Sequence, residues 1–271
     1  MGWQARLKDV TRSIRGGGVS PTLLPKRRPA GSARASMFFD AYPRFYDTAK
    51  AGWGRGRLNL RYEAIIGENR DIFPGSSVLD IGCHDGRWSL AALMAGATEV
   101  VGIEAREEIA AGARENLRHY LGEESAYRFV AGDVFDVLAR ERFHTDVVLC
   151  LGFLYHTLRY NELMRRIRDI SPRYLIIDTA VIRRERRRHV HLRFDLADDP
   201  RGAVEDAYSY DGKTIVGRPS LNALMFLLDT YGFAVERLSD WASIIRDNRD
   251  VARVAQYARG ERVTVRCVSK V

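Results

Sequence analysis

Cysteine is scarce in this chain of 271 residues: three in all, with no two in a CxxC pair. That excludes a disulfide framework. Cys150 and Cys267 stand inside apolar, strand-like runs and read as small buried hydrophobes, which suits a reducing cytoplasm. Long apolar runs are missing too, and nothing approaches the ~20 residues that a membrane-spanning helix needs. The N-terminus has charges but lacks the apolar stretch of a secretory signal. No internal repeat is visible. Nor does the body of the chain carry a surplus of one charge. The net charge is +8, but residues 1 to 36 hold eight Lys/Arg against Asp9 alone, so that leader carries +7 and residues 37 to 271 only +1. A nearly neutral body argues against a stable nucleic-acid partner.

Hydrophobic residues are plentiful, at 46%, enough for the core of one large α/β domain. The leader reads as a short helix with Trp3, Leu7, Val10 and Ile14 on one face, followed by a Gly/Pro/Ser-rich linker. It is either a tail with one packing helix or a helix that lies on an anionic membrane or over the active site. From residue 37 the chain is one domain. Apolar runs at SVLDIG, TEVVGIE, YRFVAG, TDVVLCLG and RYLIID alternate with helix-period stretches, which predicts a doubly wound parallel sheet. After Asp178 the rhythm changes. Residues 183 to 218 form an insertion, SLNALMFLLDTYGF a helix capped by Ser220, and FAVERLS and RVTVRCVSK the final strands.

The segment LDIGCHDGRWSL places two glycines, Gly82 and Gly86, between a buried strand and a helix. That is the carboxyl edge of the first strand, where doubly wound folds bind ligands. The dinucleotide fingerprint is not met, because His84 stands where its central glycine would be. The second strand ends in Glu104, placed to accept both hydroxyls of a ribose, and the third runs into Asp133 at the same edge. Cys83 and His84 therefore read as loop residues, since no further thiol or imidazole follows at zinc-ligand spacing.

A glycine loop, an acid ending the second strand and an acid after the third, in that order, resemble the class I S-adenosylmethionine-dependent methyltransferases from about residue 55 to the C-terminus. The resemblance implies a seven-stranded, Rossmann-like sheet, mostly parallel with an antiparallel last strand, and S-adenosyl-L-methionine as cofactor. It implies that Asp80 supports the loop and the methionine amino group, that Gly82 and Gly86 make room for the cofactor, and that Glu104 holds the ribose. Ala105 and Arg106 would lie beside the ribose, Asp133 and Val134 at the adenine, and Leu151 at the end of the fourth strand. Members of the family also recruit basic and aromatic residues to the methionine carboxylate from a segment placed like Trp53, Arg57, Arg61 and Tyr62.

Just past the fourth strand stand Tyr155 and His156, in LGFLYH. Imidazole titrates near neutrality, so His156 is the candidate base for a hydroxyl acceptor; the alternative is that it packs beneath the cofactor. Asp178, ending the fifth strand, would orient His156 or hold a divalent ion, although one carboxylate is too few ligands to establish a metal. The insertion is the expected substrate cap. It holds His189 and His191, which alternate as on one strand face, and Tyr208 and Tyr210. Its five arginines between 183 and 188 would grip an anion, face solvent or make a subunit contact in a homo-oligomer.

The resulting expectation is an O-methyltransferase acting on a small hydroxylated molecule. A carbohydrate comes first, because the overall pattern is similar to mycobacterial enzymes that methylate mannoside precursors of polymethylated polysaccharides. LGFLYH is also similar to transferases that modify the wobble uridine of tRNA and to small-molecule, natural-product O-methyltransferases, and those are the alternatives.

Overall fold

The computed structural model describes residues 36–48, 54–123, 126–199, 201–249 and 254–270. The expected leader helix and Trp53 lie outside the described residues.

The strands are β1 (Ser77–Ile81), β2 (Glu99–Glu104), β3 (Tyr127–Ala131), β4 (Val147–Leu151), β5 (Tyr174–Ala180), β6 (Val190–Leu196), β7 (Lys213–Pro219), β8 (Phe233–Leu238) and β9 (Arg262–Ser269). Seven of them form one sheet in the order β3-β2-β1-β4-β5-β9-β8. The pairs among β1 to β5 are parallel, and β9 runs antiparallel to both its neighbours. The helices used below are α1 (Arg55–Ile65), α2 (Arg87–Met94), α3 (Glu107–Leu121), α4 (Val134–Arg140), α5 (Tyr160–Ile170) and α6 (Leu221–Thr230).

Near-continuous apolar strands are what a sheet covered on both faces requires. In β4, Val148 and Cys150 join a core with α4, α5 and α6, while Val147, Leu149 and Leu151 turn to the opposite core with α1, α2 and α3. Period-two alternation thus feeds two cores from one strand. Ser220 caps α6, its side chain accepting from the Ala223 amide.

Strand order reverses between β1 and β4, and the loops after those strands part there to leave a crevice. The insertion is not irregular. It contains β6 and β7, a separate two-stranded antiparallel sheet in which Asp195 pairs with Thr214 and Phe194 with Ile215.

Candidate functional site

A cavity of about 250 Å³ opens at the switch point, lined from β1's loop by Gly82 and His84, from β2's end by Glu104, Ala105 and Arg106, from β3's end by Asp133 and Val134, and from β4's end by Leu151, Gly152, Tyr155 and His156. Arg57 and Arg61, one helical turn apart on α1, close one side, and Gly202, Ala203, Val204 and Thr214 of the insertion cover another. Arg106 ties that cover down, Nη2 donating to the Gly202 carbonyl at 3.2 Å.

Each acid at the strand ends is partly committed. Glu104 accepts the His84 amide on Oε2 and the Arg106 amide on Oε1, both at 3.1 Å, so it holds the loop while each oxygen keeps a second lone pair. Asp133 caps α4, Oδ1 taking the amides of Phe135 and Asp136 at 2.9 and 3.1 Å, which leaves Oδ2 outside the cap. Arg159 stacks on the neighbouring Phe135 at 3.7 Å. Gly82 has a φ of +66°, and a Cβ there would sit 3.2 Å from the Phe153 ring, so a side chain at this position would be strained and crowded.

Two residues, Asp80 and Gly86, differ from the expectation. Asp80 is fully buried and does not line the cavity; it takes the Ser89 hydroxyl at 2.7 Å, and burial raises its carboxyl to about 7. Gly86 makes room for packing rather than for a ligand, because a Cβ there would come within 2.8 Å of Leu117 and 3.1 Å of Phe129. Cys83 is buried beneath the loop, and burial pushes its thiol well up. Asp85, between them, anchors the loop through Arg87 and the Thr48 hydroxyl, each at 2.6 Å.

Asp178 also departs from the expectation. It does not orient His156. Its carboxylate is saturated by Arg262 at 2.6 Å, the Tyr257 hydroxyl at 2.7 Å, the Thr264 hydroxyl at 2.8 Å and Arg61 at 3.1 Å. Burial alone would raise this carboxyl, but Arg262 and Arg61 outweigh it and hold it low. Nor is a metal site assembled around it: among the described residues no group of three or more His, Cys, Asp or Glu side chains is placed to hold an ion. The partner of His156 is Asp195 of β6, whose Oδ2 lies 2.6 Å from Nδ1. Asp195 also accepts from Arg193 at 2.8 Å and the Ala203 amide at 3.0 Å. Burial pushes its carboxyl up, yet His156 and these donors bring it down to about 2. An ionised carboxylate only accepts, so Nδ1 carries the proton, and in the neutral ring Nε2 is then the acceptor.

Tyr155 lies against His156, ring centroids 4.2 Å apart, and accepts from Arg262 Nη1 at 3.2 Å. Burial would raise its phenol, but the Arg262 guanidinium outweighs that and holds it below the ordinary value. His189 precedes β6 instead of sharing its face, His191 lies within β6, and both are exposed and away from the cavity. Tyr62 is packed in the core, and Tyr208 and Tyr210 do not line the cavity. Asp195, Arg262 and the 201 to 206 turn escaped the sequence reading. Asp195 lies in VHLRFDL, and its alternation with His191 and Arg193 was the one signal available.

The residues fit the expected cofactor on one observation: the buried Nε of Arg61, in the cavity wall, has no hydrogen-bond partner. A buried guanidinium N–H without an acceptor is costly, and the carboxylate of an amino acid would supply one.

Residues 78–171 match the family model described as a methyltransferase domain. No curated protein sequence matches the chain. Among solved structures it is similar to an S-adenosylmethionine-dependent methyltransferase from Mesorhizobium loti, 15% identical, covering 79% of this chain and 99% of that one at a TM-score of 0.55. The N-terminal domain of EvdMO1, crystallised in the presence of SAH and D-fucose, is 17% identical over 97% of this chain and 96% of its own, at 0.50. The [4+2]-cyclase SpnF is 13% identical over 79% and 83%, at 0.54. The chain thus has the Rossmann-like methyltransferase fold, and residues 78–171 within it match the methyltransferase-domain model. That a cyclase shares the fold puts the burden of the particular reaction on the site.

Proposed function

We propose that the chain binds S-adenosylmethionine in this cavity and methylates a hydroxyl of a small polar acceptor, with carbohydrates the first class to test. The observation that carries the reading is the His156–Asp195 pair, 2.6 Å long, with His156 on the wall of the cavity that Glu104 and Asp133 also line. Bound there, the cofactor would supply an electrophilic methyl on a sulfonium.

The chain's own groups would then do the following. Arg61 would receive the methionine carboxylate on its unpartnered Nε. Glu104 would take the ribose hydroxyls on its remaining lone pairs, and Asp133 the adenine. His156 would accept the acceptor's proton at Nε2, and Asp195 would stabilise the imidazolium that forms while fixing the ring. A neutral amine would not need such a base, which is why the pair favours oxygen. The turn 201 to 206 and Thr214 would exclude water above the site. Polar walls of this kind suit a sugar, and EvdMO1, a fold neighbour studied with D-fucose, lends sugars first place. A natural-product hydroxyl is the runner-up; the near-neutral body gives no support to tRNA.

Two experiments test this. In calorimetry, Glu104→Ala should weaken cofactor binding by roughly 1.5–3 kcal/mol, the range for a hydrogen bond to a charged group. A panel of sugars, phenols and tRNA, assayed for S-adenosylhomocysteine, should give turnover with a hydroxylated small molecule. Turnover with tRNA alone would reverse the acceptor reading.

A further inference from the structure

The β6–β7 hairpin is polar on its inner face and apolar on its outer one. Side chains alternate along a strand, and residues directly opposite in an antiparallel pair share a face. Asp195, Thr214 and Val216 share the inner face, all buried, and Asp195 meets His156 there. The other face carries Val190, Leu192, Phe194 and Leu196, exposed by 38, 60, 56 and 45%, with Ile215 opposite Phe194 exposed by 56%. Leu158 extends this face onto the body, since a Cβ at Gly217 would come within 2.5 Å of its Cδ2. A half-covered antiparallel sheet ordinarily turns its polar face to water. A contiguous apolar row facing outward marks a surface with a partner.

The surroundings say which partner. The run immediately before β6 presents Arg183, Arg184, Arg186, Arg187 and Arg188, all exposed. Among the described residues none of these guanidiniums lies within ion-pair distance of a carboxylate; Arg188 instead covers the part-exposed Phe226 ring at 4.3 Å. Beside the distal turn, Tyr208 and Tyr210 are exposed by 72 and 86%. Apolar side chains, exposed tyrosines and a run of five exposed arginines broken only by Glu185 together are the chemistry of a surface that lies in the headgroup region of an anionic membrane. We propose that the outer face of the β6–β7 hairpin docks on an anionic lipid bilayer. The proposal is independent of methyl transfer, though it would hold the cavity's cap, and with it Asp195, at the membrane surface.

Sedimentation of the full-length chain with phosphatidylcholine vesicles, with and without phosphatidylglycerol, tests it. The chain should partition onto the phosphatidylglycerol vesicles and be released by salt. The triple variant Leu192→Gln, Phe194→Gln, Ile215→Gln should bind at least tenfold less, and the pair Arg186→Ala, Arg187→Ala about fivefold less for each charge removed. The arginine pair leaves the apolar row intact, so it keeps the test alive if the triple variant does not fold. Because the basic leader is present in every variant, the differences report the hairpin. Three results would overturn the proposal: no dependence on phosphatidylglycerol, variants that bind like the native chain, or a concentration-dependent dimer that the triple variant abolishes.

Discussion

His156 and Asp195 are thirty-nine positions apart in the chain, yet their side chains meet at 2.6 Å. One comes from the turn after β4 and the other from the inner face of the inserted hairpin, so the pair exists only when the insertion is folded down on the sheet.

Asp195→Ala should therefore do two things. Without its carboxylate the His156 ring loses its orientation and its counter-charge, and turnover should fall by about 10²-fold, within the range for general-base catalysis, with cofactor affinity little changed. The native pair should also mark stability. A carboxyl held at about 2 against an ordinary 3.8 contributes stability that is present above the ordinary value and is lost as pH falls through about 2. Melting temperatures between pH 5 and pH 2 should drop more steeply for the native chain than for Asp195→Asn.

Arg262 and Asp178 form a second pair, fully buried at 2.6 Å. Arg262→Ala removes the nearer of the two guanidiniums paired with the buried Asp178 carboxylate and leaves Arg61 at 3.1 Å. Breaking a buried pair from one side costs about 3–5 kcal/mol, and denaturant unfolding should show a loss of that order. The charge-neutral Asp178→Asn in the Arg262→Ala background should recover part of it. A loss below about 1 kcal/mol would mean that Arg61, Tyr257 and Thr264 together satisfy Asp178.

Asp80 works against stability at neutral pH. Its folded carboxyl sits at about 7, raised by burial, and its Oδ1 has no partner. A raised carboxyl contributes stability at low pH that is lost as pH rises from the ordinary value through about 7. Asp80→Asn should therefore melt higher than the native chain at pH 8 and show no such gain at pH 4. Equal melting temperatures at pH 8 would mean that the native carboxylate finds a partner there.

These residues also mark what the sequence could disclose. The sheet was legible because a strand covered on both faces must be near-continuously apolar: β4 is so throughout, and β1 and β2 are so apart from Ser77, Asp80, Glu99 and Glu104. The place of Glu104 and Asp133 at the edge was legible because one ends β2 and the other stands two residues past β3, so it is set by local chain geometry. Asp195 was not, because its partner is reached only through tertiary folding of the insertion, and its strand was obscured by apolar residues facing outward. Asp178 was misread for the same reason. It lies near the carboxyl end of β5, level with Leu151 at the end of β4, but the donors that saturate it come from α1, β9 and the segment before β9. Gly86 looked like a ligand glycine in the loop pattern, whereas its open side faces Leu117 and Phe129.

The most direct test is turnover by His156→Ala at saturating cofactor, with the best acceptor from the hydroxyl panel. If Nε2 removes the acceptor proton, turnover should fall by about 10²–10⁴-fold, the acid limb of the native pH–rate profile should vanish, and cofactor affinity by calorimetry should stay near native. A variant that retains near-native turnover and the same pH profile would contradict the account and leave His156 as a packing residue beside the cavity.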